Sequence, residues 1–89
     1  MYTIKTTSRI DKIFLKLCKK NPKQIGIITQ KVEEIVKNPY RYKNLRAPLS
    51  HLRRVHMDKS FILVFSVDET SKTVILEDYA HHDNIYKTK

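Results

Sequence analysis

Four histidines carry most of the reactive chemistry of this chain, and all fall in its second half: His51, His56, His81 and His82. Two run side by side in the stretch AHHDNIYK, Ala80 to Lys87, with Asp83 and Tyr86 close behind. A zinc ion would require three or four His, Cys or carboxylate groups converging at about 2.0–2.3 Å. Adjacent histidines on an extended chain point to opposite sides. The sequence also has a single cysteine and no i, i+4 histidine pair, so neither a metal nor another cofactor is expected. Acid–base chemistry suits the residue types better. Metal-free cleavage of RNA needs a base to take the proton of a ribose 2′-OH, an acid to protonate the 5′ leaving oxygen, and cations to stabilise the charge that builds on phosphorus. Histidine, with an unperturbed pKa of about 6.5, serves as either acid or base. Arginine binds phosphate through two parallel hydrogen bonds, and tyrosine can orient phosphate or act as a weak acid. The plain alternative is that these are surface and capping residues. His51, in a loop, reads that way, and Tyr86 could equally be an aromatic plug at the edge of the core.

What would position these groups is a small α+β fold. MYTIKT alternates apolar and polar residues as a short first strand. Ser8-x-x-Asp11 resembles a capping box, and Ile10, Ile13, Phe14 and Leu17 then mark one face of a helix, with Lys12, Lys16, Lys19 and Lys20 largely off it. Asn21-Pro22 closes this helix and starts a second one, on which Ile25, Ile28, Val32, Ile35 and Val36 keep the helical period until Asn38-Pro39 ends it. Residues 40–51 have no clear period and form a basic loop containing Arg41, Lys43 and Arg46. Three strands follow: Leu52–Met57, the apolar run Phe61–Val67, and Thr73–Tyr79, joined by the turns Asp58-Lys59 and Asp68–Lys72 into an antiparallel meander. The expected architecture is one sheet packed on a helical hairpin, in a single domain spanning 1–89. On the first meander strand Arg54 and His56 share one side, and Arg53 and Val55 share the other. Val55 should face the helices, leaving Arg54 and His56 on the opposite side of the sheet. That side is expected to be partly open or covered by the C-terminal segment, which would bring His81 or His82, with Tyr86, towards His56.

Charge narrows the choice of partner. The 89 residues carry a net charge of +9, distributed unevenly. Residues 1–57 hold 14 Lys/Arg against three Asp/Glu, a net of +11, and residues 58–89 hold four against six, a net of −2. Such a balance favours a polyanion, with the contact surface on the first two thirds of the chain. A composition of 40% hydrophobic and 30% charged residues is globular, not disordered. No apolar run approaches the about 20 residues of a membrane span, and no signal peptide is visible, so the cytoplasm is the expected compartment. Cys18 can form no internal disulfide and sits at an apolar helical position, where a small buried hydrophobe is expected.

Taken together, the short strand, the helical hairpin ending in Asn38-Pro39, the basic loop with Asn44-Leu45, RRVHMDKSFILVF from Arg53 to Phe65 and HHDNIY from His81 to Tyr86 resemble the RelE/ParE superfamily of type II toxins over nearly the full chain. The resemblance implies an antiparallel sheet on two helices. It also implies a ribosome-dependent, metal-independent mRNA endonuclease that inhibits translation and leaves a 2′,3′-cyclic phosphate and a 5′-hydroxyl. The implied partners are a small acidic antitoxin, the ribosome and mRNA, with no membrane. Many RelE-like members have arginine where this chain has Ile62, His56 and His82. Those departures point to the YafQ-like branch, whose histidines match His56 and His82 and whose C-terminal aromatic matches Tyr86. That branch has aspartate at the position of Ser60 and a histidine near Ala47, for which His51 could stand in. The resemblance thus implies an acid–base pair of His56 and His82, Arg54 stabilising the phosphate, Tyr86 orienting it and His81 as a further candidate. Arg41, Lys43, Arg46, Arg53 and Lys59 are expected to bind RNA phosphates. The alternative within the superfamily is a relative without ribonuclease activity: a ParE-like gyrase poison, or an inactive protein that only binds nucleic acid or antitoxin.

Overall fold

The computed structural model describes residues 1–58 and 60–81. Four strands, β1 (Thr3–Thr6), β2 (Arg53–Met57), β3 (Phe61–Asp68) and β4 (Thr73–His81), form one sheet, and two helices, α1 (Ser8–Lys20) and α2 (Pro22–Lys37), pack on it. The strand order is β1-β4-β3-β2, with β2, β3 and β4 as the expected antiparallel meander and β1 parallel to β4 at the far edge.

Local chemistry accounts for the helix ends, with one difference from the expectation. Thr7, not Ser8, is the N-cap of α1: its Oγ1 accepts the Ile10 amide at 3.2 Å and also donates to the Leu76 carbonyl of β4 at 3.1 Å. The cap therefore doubles as a tie to the sheet, which a capping pattern read from sequence cannot show. Asn21 closes α1 through its amide to the Leu17 carbonyl and opens α2 by accepting from the Gln24 amide, with Pro22 in the first helical position. Asn38 caps the end of α2, and Pro39 begins a single 3-10 turn, Pro39–Arg41.

Ile10, Ile28 and Ile35 of the helices meet Val55, Met57, Leu63, Phe65, Val74, Leu76 and Tyr79 of the sheet. Burial of each such side chain stabilises the fold by about 1.5–3 kcal/mol. Cys18 is not part of this core. It is exposed, one residue beyond Leu17 and so about 100° around the helix from it; the buried stripe of α1 is narrower than its apolar pattern.

Part of the second face of the sheet is covered, among the described residues, by the loop after the 3-10 turn. Leu45, Leu49 and Leu52 from that loop pack on Ile62, Val64 and Ala80. The loop is held by Leu45 N–H to the Leu52 carbonyl and by the Asn44 side chain to the Ser50 carbonyl, and it includes a cis Ala47-Pro48 bond. A stretch that reads as a basic loop thus contains a second small core, and its three leucines were the signal.

β4 carries a bulge. Val64 pairs with Asp78 but Phe65 pairs with Leu76, so Glu77 is the extra residue, and its carboxylate accepts from Ser66 Oγ at 2.7 Å. The bulge resets the alternation of side chains along the strand. Val74 and Leu76 face the helices, and beyond the bulge so does Tyr79. Without it, Tyr79 and every second residue after it would lie on the opposite face.

At the β1 end of the sheet a polar knot joins the chain start to the β3–β4 turn. Glu69 accepts hydrogen bonds from Lys72, from Tyr40 Oη and from Tyr2 Oη. These partners, Lys72 first, lower its carboxyl pKa from 4.5 to about 2, and the same carboxylate raises the Tyr40 phenol to about 12. A carboxylate whose pKa is depressed in the folded state adds stability above its unfolded pKa and loses it as pH falls towards the folded value. Glu69→Gln should therefore flatten the fall in Tm between pH 4.5 and about 2, and return the Tyr40 titration towards 10.0. Melts across that acid range and absorbance titration of tyrosinate test this, and superimposable curves for the two proteins would refute it.

Candidate active site

β2 is an edge strand, and its outward side chains set the geometry of the site. Arg54 and His56 pair with Val64 and Ile62 of β3, residues of the second-face core, so both project on the side away from the helices. His56 is exposed and Arg54 is half-buried. Val55 and Met57, between and beyond them, are buried against the helices. The loop closes on the same edge: the Arg54 amide donates to the Lys43 carbonyl at 3.0 Å, and Asn44 bridges to Arg53. Between loop and strand lies an open groove of about 320 Å³ lined by Arg41, Tyr42, Lys43, Arg54, Val55 and His56. Three of these six residues are permanent cations and none is acidic, so the groove favours an anion on electrostatic grounds alone.

The other expected contact residues divide. Arg41 and Lys43 are exposed on the groove wall, with the Arg41 guanidinium 5.9 Å from the Tyr42 ring centre. Arg46 is exposed on the loop that carries the second core, as is His51. Arg53 does not line the groove. Its guanidinium donates to the Tyr42 carbonyl at 2.6 Å and lies over the Tyr40 ring at 4.9 Å, so it braces the groove wall from behind. The sequence placed Arg53 on the helix side of β2, but the loop that would engage it there was not legible.

His81 lies away from His56. Its ladder partner is Phe61, which pairs in turn with Met57, so His81 falls on the helix side of the sheet, while His56 pairs with Ile62 on the other. The expectation that His81, in a segment beyond Tyr79, could meet His56 is corrected: β4 runs on to His81, and the bulge at Glu77 puts that residue on the helix side. His82, Tyr86 and Lys59 lie outside the described residues. Among the described residues, no three His, Cys, Asp or Glu side chains gather as a metal-ligand set, and no helix is long and apolar enough to cross a membrane.

No protein-family model matches the chain. Among curated proteins, it is 60% identical over 86 residues to an uncharacterized protein of Methanosarcina mazei, covering 97% of this chain and 100% of that protein. It is 56% identical over 89 residues to a Methanocaldococcus jannaschii protein named "Putative toxin RelE4", covering 100% of this chain and 95% of that one. Among solved structures, the fold matches a chain of the toxin–antitoxin complex RelBE2 of Mycobacterium tuberculosis with a TM-score of 0.77 and 21% identity, covering 90% of this chain and 96% of the other. It matches YafQ of E. coli with a TM-score of 0.73 and 16% identity, covering 97% and 99%. At these identities the two structures establish a shared fold and do not choose between branches of the superfamily. Relationship over the whole chain to the named RelE protein, on the sheet and helical hairpin described above, establishes that this chain belongs to the RelE-like toxin superfamily.

Proposed function

We propose that the protein is the toxin of a type II toxin–antitoxin pair and a metal-independent endonuclease that cuts mRNA on the ribosome. The observation that carries this reading is the groove in which Arg54 and His56 share one face of an edge strand, flanked by Arg41 and Lys43 with no acidic side chain in the lining. Arg41 and Lys43, with Arg46 and Lys59 nearby in sequence, hold the backbone phosphates. The scissile phosphate lies against Arg54, whose guanidinium stabilises the charge of the pentacoordinate transition state. His56 and His82 form the proton-transfer pair: one takes the 2′-OH proton as that oxygen attacks its own 3′-phosphate, and the other protonates the departing 5′ oxygen. Tyr86 orients the phosphate. The roles of His82 and Tyr86 rest on the family pattern of HHDNIY. A small acidic antitoxin is the expected inhibitor of a surface this basic.

The test is incubation of purified protein with translating ribosomes and, separately, with free RNA, followed by end-group analysis. We expect cuts within translated mRNA, insensitive to chelators, leaving a 2′,3′-cyclic phosphate and a 5′-hydroxyl, and abolished in His82→Ala. Growth arrest on expression with intact transcripts and a DNA-damage response would replace this reading with the gyrase one.

A further inference from the structure

The polar knot around Glu69 and the brace behind the groove share one side chain, Tyr40. Its hydroxyl, in the 3-10 turn, donates to Glu69 Oε1 in the β3–β4 turn at 2.5 Å, and the Tyr2 ring meets its ring edge-on at 6.3 Å. Its face carries the Arg53 guanidinium, 4.9 Å from the ring centre and inside the about 6 Å over which an aromatic face holds a cation. Arg53 in turn donates from Nη1 to the Tyr42 carbonyl at 2.6 Å. A phenol that donates to a carboxylate has a more electron-rich ring, so Glu69 strengthens the hold of Tyr40 on the cation. A chain of contacts therefore runs from the β3–β4 turn through Glu69, Tyr40 and Arg53 to the backbone between Arg41 and Lys43, the two cations of the groove wall. Arg53 itself does not line the groove. Its guanidinium is committed to a ring face and a carbonyl, which leaves it poorly placed to bind the phosphate expected of it.

We propose that Tyr40 is a positioning residue for the groove: its ring seats Arg53 against the Tyr42 carbonyl, so that Arg53 fixes the wall presenting Arg41 and Lys43 and is not itself a phosphate ligand. The consequence for RNA rests on the ribonuclease reading above; the bracing of the wall rests on these contacts alone. The position requires an aromatic face more than it requires a hydroxyl. Phenylalanine should therefore seat the guanidinium, whereas leucine, which is apolar but has no π face, should not. Loss of the seat should shift the equilibrium that holds the wall by about 3- to 30-fold.

The experiment compares wild type with Tyr40→Phe, Tyr40→Leu, Arg53→Met and the Tyr40→Leu/Arg53→Met double variant. Amide hydrogen exchange is measured alongside binding of a short single-stranded 2′-O-methyl RNA, which cannot be cut by its own 2′ oxygen, over a range of salt. The amides of Leu45 and Arg54 close the loop on itself and on β2. Their exchange should accelerate by about 3- to 30-fold in Tyr40→Leu and in Arg53→Met, while exchange at Leu63 in the main core stays as in wild type. RNA affinity should fall by a similar factor in both, and the double variant should be no weaker than the weaker single one, because the two residues act through one contact. The salt slope should not change, since Arg41 and Lys43 still meet the phosphates. Tyr40→Phe should stay within about threefold of wild type in exchange and binding. A salt slope smaller by about 0.7 in Arg53→Met would make Arg53 a phosphate ligand and overturn the proposal. Wild-type exchange at Leu45 and Arg54 in Tyr40→Leu overturns it too, as do losses that add in the double variant or a Tyr40→Phe as impaired as Tyr40→Leu. Absence of RNA binding by the wild type defeats the RNA reading of the groove alone, and the exchange data then decide the bracing by themselves.

Discussion

Replacing His56 with alanine should slow single-turnover cleavage by about 10²–10⁴-fold, the usual contribution of a positioned acid or base, with no measurable change in folding. The separation of the two effects follows from its place in the structure. His56 is exposed on an edge strand and belongs to neither core, and substitutions at such positions shift stability by no more than about 0.5 kcal/mol. A lost rate therefore cannot be attributed to unfolding, which thermal melts of the same preparation would verify. His56→Gln sharpens the test, because glutamine keeps a polar side chain at the groove but cannot carry a proton between pH 5 and 8. It should be nearly as slow as alanine, and one limb of the bell-shaped pH–rate profile should vanish in both variants. A variant lacking this histidine that cleaves at the wild-type rate would remove His56 from the mechanism, leaving the groove as a binding surface only. Arg54→Ala should behave differently. It removes a charge that acts on the transition state and leaves both limbs of the pH profile in place.

The periodic part of this fold could be read from sequence, and the aperiodic part could not. Ile10, Ile13, Phe14 and Leu17 marked α1; Asn21-Pro22 and Asn38-Pro39 marked the helix boundaries; the two-sided apolar run from Phe61 marked the central strand. Each of these signals is local, set by a helix or strand period or by a residue that caps or breaks a ladder. The features that were missed all depend on contacts distant in sequence. Thr7 caps α1 because its hydroxyl also reaches β4. Leu45, Leu49 and Leu52 form a core because the loop folds back over β3. Cys18 is exposed because the sheet and α2 occupy only a narrow stripe of α1. For the site, strand alternation put Arg54 and His56 on one face of β2, whereas His81, expected in a C-terminal segment folded over that face, is the last residue of β4 and lies on the helix side. One extra residue at Glu77 makes the difference, and nothing in the string ILEDYAH announces it.

Phe65→Ala is expected to be the most destabilising single truncation in the chain, at about 3–5 kcal/mol. Stability of about 0.05–0.15 kcal/mol per residue gives an 89-residue protein a total of about 4–13 kcal/mol, so this one change removes a large share of it. Phe65 is fully buried on the helix side of β3, so its truncation leaves a cavity inside the main core. Urea unfolding of the two proteins measures the loss, and a cost below about 1 kcal/mol would contradict the packing described here. The position also links the core to the groove. Phe65 meets Tyr42 edge-on at 5.9 Å and pairs in register with Arg53, whose guanidinium holds the Tyr42 carbonyl. The groove wall formed by Arg41, Tyr42 and Lys43 is thus supported from beneath by the ring and from behind by the cation. Phe65→Leu keeps an apolar side chain in the core but removes the aromatic contact to Tyr42. It should fold with a smaller loss of stability than alanine and bind RNA more weakly, raising KM more than it lowers kcat, because the wall that grips the phosphates is loosened while His56 and Arg54 stay on their strand. A leucine variant with unchanged KM and reduced kcat would instead place the support of Phe65 under the reacting groups themselves.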